Sequence, residues 1–366
     1  MRQERSRSPP LPRGSDERRN RPSFALLGLI SMQLALRYDM RAPAIGASVA
    51  DLYQASIEQC AWADRLGFES VYLAEHHGAD DGYCASPMIQ AASIAAVTAR
   101  IEIHLSALIA VLHNPLRLAE DLATIDIISR GRLAVTLGIG YRPHEYEMFG
   151  VAKARRVPLL EEVFDVLGQA WTGEPFDYHG TTVMVRPTPC RKPRPPLYIG
   201  GSTEASARRA ARFGDNYFPA IPTLTEVYEA ERRRLGLPIP PRPLPKGPLF
   251  LFVSDDPERD WNVVAPHVIY TSNSNSKWAL ERGVGATPYK PVGSVEELKQ
   301  SSQFAVLTPA ACVQLAQSLG PDSELVFQPL MGGLDPAVSW RSLHLFESQV
   351  LPQLRHLGLR RDQVPA

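Results

Sequence analysis

The sequence predicts an α/β fold, a (β/α)8 TIM barrel with an inserted hairpin and a long lid insertion after strand 7. First, from Met32 onward short aliphatic runs alternate with longer stretches whose apolar residues recur at helical spacing. Second, eight such runs occur, each followed by at least one helical stretch, and a barrel needs about 250 residues plus any insertions. Third, no G-x-G-x-x-G separates the first strand from the first helix, which disfavours the competing open, doubly wound sheet of dinucleotide-binding folds.

The first half of the chain shows the alternation clearly. A strand at residues 32–38 precedes a helix at 48–66, which Ser48 can cap and Gly67 can terminate. Residues 133–140 form a nearly continuous apolar run, as expected of a parallel strand that is covered on both faces. The other elements of this half are strands at 70–75 and 101–108 and helices at 86–98, 115–129 and 155–171.

The second half supplies the remaining strands and two segments that a plain barrel does not need. Residues 176–186, with Gly180 at the bend, predict an inserted β-hairpin. Residues 255–302 are too long for an ordinary connection and predict a mobile lid, with a plain exposed connection as the alternative. The regular elements are strands at 197–200, 216–219, 249–253 and 325–329 and helices at 203–213, 223–235, 309–319 and 337–354.

The N-terminal residues differ from the rest of the chain. Residues 1–22 hold seven arginines and four prolines, so they predict a disordered tail, with residues 23–366 as a single domain. Arg18 and Arg19 before the apolar stretch 24–30 resemble a weak export signal, although no small-x-small cleavage site follows. A translation start near Met32 is a third interpretation.

Composition and charge narrow the class of ligand. The 39 Lys and Arg residues balance 39 Asp and Glu residues at a pI near 7.1, which argues against nucleic acid or a membrane surface as the main partner. No apolar run reaches the ~18 residues that a spanning helix needs. Four cysteines without C-x-x-C spacing predict neither a disulfide framework nor a zinc ribbon, and favour a reducing, cytoplasmic compartment. Small molecules are therefore the expected ligands.

Polar residues follow four of the predicted strands, where the active sites of barrels are assembled. Because His76 and His77 are adjacent on an extended chain, only one of them can point into the barrel mouth, and no H-x-H or H-E-x-x-H supports a metal site. Plain hydrogen bonding at the strand ends is the alternative for both histidines. The four groups are Glu75-His76-His77, His113-Asn114-Pro115, Gly140-Tyr141-Arg142 and Gly200-Gly201-Ser202-Thr203.

The last of these groups has the chemistry of an anion site. Gly200 and Gly201 expose backbone N–H groups, and Ser202 and Thr203 add hydroxyls at the start of a helix, where phosphate binds well. Such a turn is also how ordinary helices begin. Tyr141 and Arg142 from the neighbouring strand end can add a phenol and a charged donor to the same anion.

With these residues the chain resembles the bacterial-luciferase-like superfamily, which comprises flavin-dependent monooxygenases and related deazaflavin oxidoreductases built on a (β/α)8 barrel. The resemblance covers residues 32–354. Its most specific part is the stretch LHNPLRLAED at 112–121 leading to DIISRGR at 126–132. The other matching motifs are Glu75-His76-His77, LGIGY at 137–141 and YIGGS at 198–202.

The resemblance implies a reduced FMN in the barrel mouth, with its ring against strands two to four. It implies that His76 acts as acid or base with Glu75 as a structural or polarising partner, and that the Ser106–Ala107 peptide bond is cis beside the ring. The FMN-contacting residues that it implies are Ser106, Ala107, His113, Asn114, Gly140, Tyr141, Gly200, Gly201, Ser202, Thr203 and Ser206.

The chain also departs from the family pattern. Gly140 stands where light-emitting members carry a reactive cysteine, so bioluminescence is not expected. Ser202 replaces the acidic residue of their phosphate turn, which implies a different set of hydrogen bonds around the phosphate.

The leading functional prediction is an FMN-dependent monooxygenase that acts with O2 on an organic small molecule and receives reduced FMN from a separate flavin reductase. Loop 78–85 and the lid are expected to shield the site from water. Hydride transfer from reduced deazaflavin (F420) is the alternative, and a non-catalytic flavin-binding barrel is a third. A homodimer through the second and third helices is expected. The sequence decides neither the substrate nor FMN versus F420.

Overall fold

The computed structural model describes residues 31–281 and 290–360, and within them one curled parallel sheet of seven strands organises the fold. Its strand order is β11-β1-β2-β3-β4-β7-β8, and every neighbouring pair is parallel. These strands are β1 (Gln33–Tyr38), β2 (Ser70–Leu73), β3 (Glu102–Ile109), β4 (Leu133–Gly138), β7 (Leu197–Gly201), β8 (Asn216–Pro219) and β11 (Glu324–Phe327). Two further ladders pair β5 (Phe176–Tyr178) with β6 (Thr181–Val183), antiparallel, and β9 (Phe250–Val253) with β10 (Phe304–Leu307), parallel.

Helices follow most strands and cover the outside of the sheet. Local signals set their ends: Ser48 accepts a hydrogen bond from the Asp51 N–H, and Gly67 ends the first helix in a left-handed conformation at φ 86°. The helices are α1 (Val49–Leu66), α2 (Pro87–Val97), α3 (Pro115–Ile128), α4 (Pro143–Met148), α5 (Arg156–Ala170), α6 (Glu204–Phe213), α7 (Leu224–Arg234), α8 (Pro257–Glu281), α9 (Val295–Gln300), α10 (Pro309–Leu319), α11 (Pro336–Leu345) and α12 (Leu351–His356).

The predicted closed eight-stranded ladder is the main point that the structure corrects. Within the described residues, the strand predicted at 249–253 pairs with β10, which the sequence analysis did not predict, and not with β8. The segment before it pairs with the start of β11, where the Gly247 N–H donates to the Glu324 carbonyl at 3.0 Å, and it also reaches β8, where the Asn216 side chain donates to the Pro241 carbonyl at 3.2 Å. The physical reason is a separate apolar core, in which Phe250, Phe252 and Phe304 pack with residues of α8 and α9.

Most of the segment predicted as a lid is helical in the described residues. Its polar stretch 271–276 lies inside α8, and Thr271, Ser272 and Ser276 are buried there. The Ser272 hydroxyl donates to the Lys290 carbonyl at 2.7 Å. Residues 282–289, together with the predicted tail at 1–22 and residues 361–366, lie outside the described residues.

Candidate functional site

The two histidines after β2 bind different partners. The His76 Nδ1 lies 2.7 Å from Glu145 Oε1, whereas the His77 Nε2 lies 3.0 Å from Glu75 Oε1. Their rings therefore diverge, as their adjacent positions predict, and His76 is the one at the mouth of the sheet. Its Nε2 lies 3.3 Å from the Tyr141 hydroxyl, directly after β4.

Glu75 is a buried carboxylate whose bonds tie the ends of β2 and β3 together. Its Oε1 also lies 2.9 Å from the His113 Nε2, and its Oε2 accepts the Ile109 N–H. Burial raises the pKa of this carboxyl, but the hydrogen bonds from His113 and His77 outweigh burial and lower the pKa to about 2. Glu75 is thus ionised and engaged by His77 and His113, and the carboxylate at His76 is a different one.

That carboxylate is Glu145, which the sequence analysis missed. It lies on α4, a helix of six residues that begins at Pro143, immediately after the Gly140-Tyr141-Arg142 group. Its side chain is fully buried, its Oε1 also accepts the His77 N–H at 3.0 Å, and its Oε2 has no hydrogen-bond partner in the described residues. The only signal in the sequence was the proline that starts the helix.

The contact with Glu145 determines the tautomer of His76. A carboxylate can only accept, so we assign the ring proton to Nδ1 and leave Nε2 as the acceptor. The Tyr141 hydroxyl is then the donor at Nε2. Glu145, His76 and Tyr141 therefore form a carboxylate–imidazole–phenol relay along which a proton can move.

Aromatic rings enclose His76 on its other sides. The ring centroids of Tyr83, Tyr141 and Trp278 lie 4.9, 5.2 and 5.0 Å from that of His76. Trp278 comes from α8, so the segment predicted as a lid does reach the predicted site. The side chain of His76 is left only 13% exposed.

A buried arginine joins this enclosure to loop 78–85. Arg41 donates to Asp81 at 2.5 Å and to Asn275 of α8 at 2.7 Å, and the Tyr270 hydroxyl donates to the same Asp81 carboxylate at 3.1 Å. Arg41 is fully buried; burial alone lowers its pKa, but Asp39 and Asp81 raise it by more. The two segments predicted to shield the site thus meet through one charged cluster.

The floor beside His76 is made of backbone and small side chains. The Ser106–Ala107 peptide bond is cis, as the resemblance implies. A Cβ atom on Gly138 would lie 3.3 Å from the Ala107 Cβ, and one on Gly200 would lie 2.9 Å from Thr136. Gly140 has φ +65°, and a Cβ there would lie 2.8 Å from Ile109. A side chain would therefore collide with its neighbours at Gly140 and Gly200, and would crowd Ala107 at Gly138, where β4 and β7 end.

The predicted phosphate turn lies on the same edge of the sheet. Thr203 caps α6 in a capping box with Ser206, whose hydroxyl donates to the Thr203 carbonyl at 2.6 Å and lies 3.3 Å from the Tyr217 hydroxyl. The Ser206 hydroxyl is thus engaged within the protein. The first-turn N–H groups of Glu204 and Ala205 lie outside this box, and a helix has no internal acceptors for them.

The remaining predicted contacts have structural bonds of their own. Asn114 caps α3, and its Oδ1 accepts the N–H groups of Leu116 and Arg117 at 3.0 and 3.1 Å. His113 binds Glu75 as described above. Among residues 31–281 and 290–360 no group of three or more His, Cys, Asp or Glu side chains is arranged to hold a metal ion, and no helix is long and apolar enough to cross a membrane.

Comparison with known proteins gives one family match and several partial relatives. The family model described as luciferase-like monooxygenase matches residues 40–296. The oxygenase component of a flavin-dependent trigonelline monooxygenase from Acinetobacter baylyi is 27% identical over 172 residues, which are 45% of this chain and 48% of that one. An FMNH2-dependent dimethylsulfone monooxygenase from Pseudomonas putida is 30% identical over 168 residues, 43% of this chain and 46% of that one. The matches span about half the length of these relatives.

Solved structures resemble the chain over most of its length. The oxygenating constituent of 3,6-diketocamphane monooxygenase from Pseudomonas putida, in complex with FMN, superposes with a TM-score of 0.69 at 19% identity, covering 88% of this chain and 99% of that one. An F420-dependent secondary alcohol dehydrogenase superposes with a TM-score of 0.64 at 16% identity, covering 91% of this chain and 100% of that one. At these identities the likeness shows the fold alone.

Proposed function

The chain belongs to the luciferase-like monooxygenase family, and from this premise we propose that it is a flavin-dependent monooxygenase that uses reduced FMN and O2 to oxygenate an organic small molecule. The observation that carries the proposal is the relay at the mouth. Glu145 holds the His76 Nδ1 at 2.7 Å, so that Nε2 is directed to the Tyr141 hydroxyl, at the sheet edge where Gly138, Gly140 and Gly200 carry no side chain. A buried acid–base group beside strand ends without side chains is suited to chemistry at a planar cofactor.

The donor set at this edge fits a flavin mononucleotide. The glycine-lined floor around Ala107 lets a planar ring approach the backbone closely. Ser202, Thr203 and the first turn of α6, which has ten residues, would hold the phosphate at a helix N-terminus. Ser206 would support that turn through its capping box, and Tyr141 would be the end of the relay from which a proton is exchanged.

When bound, reduced flavin supplies the electrons that activate O2. The protein's own residues position the acid–base group and protect it from water. His76 moves a proton at Nε2, because Glu145 fixes its tautomer, and Tyr141 extends that path by one hydroxyl. Tyr83 and Trp278 exclude water from the imidazole. Glu75 acts indirectly, by holding His77 and His113 in place.

The proposal includes partners. A separate flavin reductase would supply reduced FMN, which agrees with the trigonelline relative being the oxygenase component of its monooxygenase. We further propose a homodimer through α2 and α3, because Ile89 of α2 is 70% exposed and Ile127 and Ile128 of α3 are 40% and 44% exposed. The cytoplasmic location expected from the cysteine content is part of the same proposal.

Hydride transfer with reduced F420 is the second candidate. It is favoured by the likeness to the F420-dependent alcohol dehydrogenase, which covers 91% of this chain. The glycine-lined strand ends would accept either ring system, and the phosphate turn would accept the phosphate of either cofactor.

Anaerobic titration with FMN, chemically reduced FMN and reduced F420, followed by stopped-flow mixing with O2, tests the proposal. We expect reduced FMN to bind more tightly than oxidised FMN, and its oxidation by O2 to be slowed when it is bound. Turnover of reduced F420 without O2 would favour the second candidate. Binding of flavin with no activity that depends on His76, tested with His76→Ala over a panel of small substrates, would leave the non-catalytic barrel.

A further inference from the structure

Trp278 is held between two positive charges. The Arg41 guanidinium carbon lies 4.2 Å from the indole centroid, and that of Arg142 lies 4.1 Å from it. Its ring centroid is also 5.0 Å from that of His76, and the residue is only 8% exposed. An aromatic side chain from α8 therefore fills a place defined by two guanidinium groups and the proposed acid–base residue.

Both arginines are fixed by bonds that do not involve the indole. Arg41 donates to Asp81 at 2.5 Å, and Arg142 donates to the His77 carbonyl at 2.9 Å. Arg41 is thus held by loop 78–85 and also by Asn275 of α8, and Arg142 is held by the residues that follow β2. We call the space between these two guanidinium groups the slot, and its width suits a flat ring.

This slot also has unused hydrogen-bonding capacity. In the described part of the chain, seven buried side-chain nitrogen or oxygen atoms have no hydrogen-bond partner, and three of them are Arg41 Nε, Arg142 Nε and Glu145 Oε2. The Arg41 Nε does lie 3.4 Å from the Asp39 carboxylate. Buried polar groups normally find partners, so the Nε of Arg142, whose guanidinium stacks on the indole, and the free oxygen of Glu145 beside His76 point to a ligand with polar substituents.

Of the three rings around His76, Trp278 is the one that is not attached to the seven-stranded sheet. Tyr141 follows β4 directly, and Tyr83 is anchored because its N–H donates to Asp81 at 3.2 Å and the next N–H donates to the Asp39 carbonyl at 2.8 Å. Trp278 lies on α8, whose apolar face packs in the separate core with β9 and β10. Replacing its ring disturbs no strand pairing of the sheet.

We propose that Trp278 occupies the place of the substrate, and that the slot takes a flat, electron-rich aromatic ring without positive charge. This inference rests on the proposed function and names its substrate class. Guanidinium groups attract the faces of π-systems and repel cations, so saturated rings and cationic rings are poor ligands. A ring in this slot would lie next to the His76 imidazole, as the indole does at a centroid distance of 5.0 Å.

The test uses Trp278→Ala, which opens the slot, and a pair of neutral probes of similar size, 2-naphthol and decahydro-2-naphthol. Calorimetry should show 2-naphthol binding about tenfold more tightly, since only its rings offer a π-face to the two arginines. The control is Trp340→Ala, which removes an indole that packs on Trp62 and His344 away from the slot. It should bind neither probe selectively. Equal binding of both probes by Trp278→Ala would overturn the inference.

Two further measurements keep the test decisive if Trp278→Ala folds poorly. In the wild-type chain, the indole N–H resonance that is lost in Trp278→Phe should shift on addition of 2-naphthol. The same shift should persist when the wild-type chain is saturated with FMN. A Trp278 resonance moved by FMN alone, with naphthol then excluded, would assign the slot to the cofactor and overturn the substrate class. Naphthol binding by a chain that binds no flavin would instead refute the proposed function and leave the slot intact.

Discussion

Two buried carboxylates contact the same pair of adjacent histidines, yet their surroundings differ. Glu75 accepts from His77, His113 and the Ile109 N–H, so both of its oxygens are engaged. Glu145 binds His76 through one oxygen and leaves the other without a partner in the described residues. The comparison teaches that a saturated carboxylate holds the structure together, whereas an unsaturated one next to a half-buried imidazole has capacity left for chemistry.

Removing His76 should give the largest effect. In His76→Ala the proton relay loses its central group, and we expect substrate turnover to fall by roughly 10²- to 10⁴-fold. The free energy of unfolding should fall as well, because Glu145 stays buried with one partner fewer. Steady-state kinetics with a coupled reductase, beside urea unfolding, measure both quantities. His77→Ala is the matched control, and it should destabilise the protein but retain most turnover per folded molecule. If the two variants lose turnover equally, the distinction between the histidines is wrong.

Removing the charge of Glu75 should lower stability more than any change at Glu145. Glu75→Gln leaves two histidines and a backbone N–H with a weaker acceptor in a buried place, and breaking such a pair costs about 3–5 kcal/mol. The free energy of unfolding in urea measures this loss. Glu58→Gln, an exposed substitution on α1 whose partner is Gln54, should change it by less than about 0.5 kcal/mol. A neutral Glu75→Gln would show that this carboxylate is dispensable.

At Glu145 we expect a smaller effect, on rate rather than stability. Glu145→Gln keeps the size of the side chain but no longer fixes the His76 tautomer, so turnover should fall by about tenfold and its pH profile should move. Glu147→Gln, an exposed position on the same helix, should leave the pH profile in place. Unchanged pH dependence in Glu145→Gln would reduce its role to packing.

The smallest effect concerns pH. The folded-state pKa of Glu75 is about 2, below its ordinary value of 4.5, so its stabilisation is complete above pH 4.5 and is lost as the pH falls toward 2. The stability gap between wild type and Glu75→Gln should therefore be constant from pH 7 to pH 5 and narrow below pH 4.5. Urea midpoints across this range measure the gap. A gap that widens in acid would reverse the sign of the shift.

Local signals in the sequence were sufficient for the seven strands of the main sheet and most of their helices. Proline and a capping Asn114 fix the start of α3, and Gly67 fixes the end of α1. The strand pattern was equally sufficient to bring His76, Gly140 and Gly200 to one edge, because parallel strands share the direction of their carboxyl ends. At Asn114 the family motif predicts a contact with the cofactor, whereas in the structure the side chain caps α3.

What the sequence did not reveal depends on short elements or on distant pairing. Strand β10 has four residues and α4 has six, too few to show a full period of apolar spacing. Glu145 was missed for that reason. The pairing of β9 with β10 joins residues 50 or more positions apart, and the aromatic core that these two strands share depends on that distant pairing. The place of Trp278 likewise depends on how α8 crosses the mouth.

The sheet is interrupted beside β8, because in the described residues β9 pairs with β10 and not with β8. Because no strand pairing crosses this interruption in the part of the chain that the structure describes, one part of the fold can change without altering the pairing of the other strands. Exchanging the segment from β9 to β10, which includes α8, for that of a relative should change the aromatic side chain that α8 places in the slot. His76 and the glycines at the strand ends should keep their positions. Differences in substrate preference among relatives are then expected to concentrate in the segment from β9 to β10.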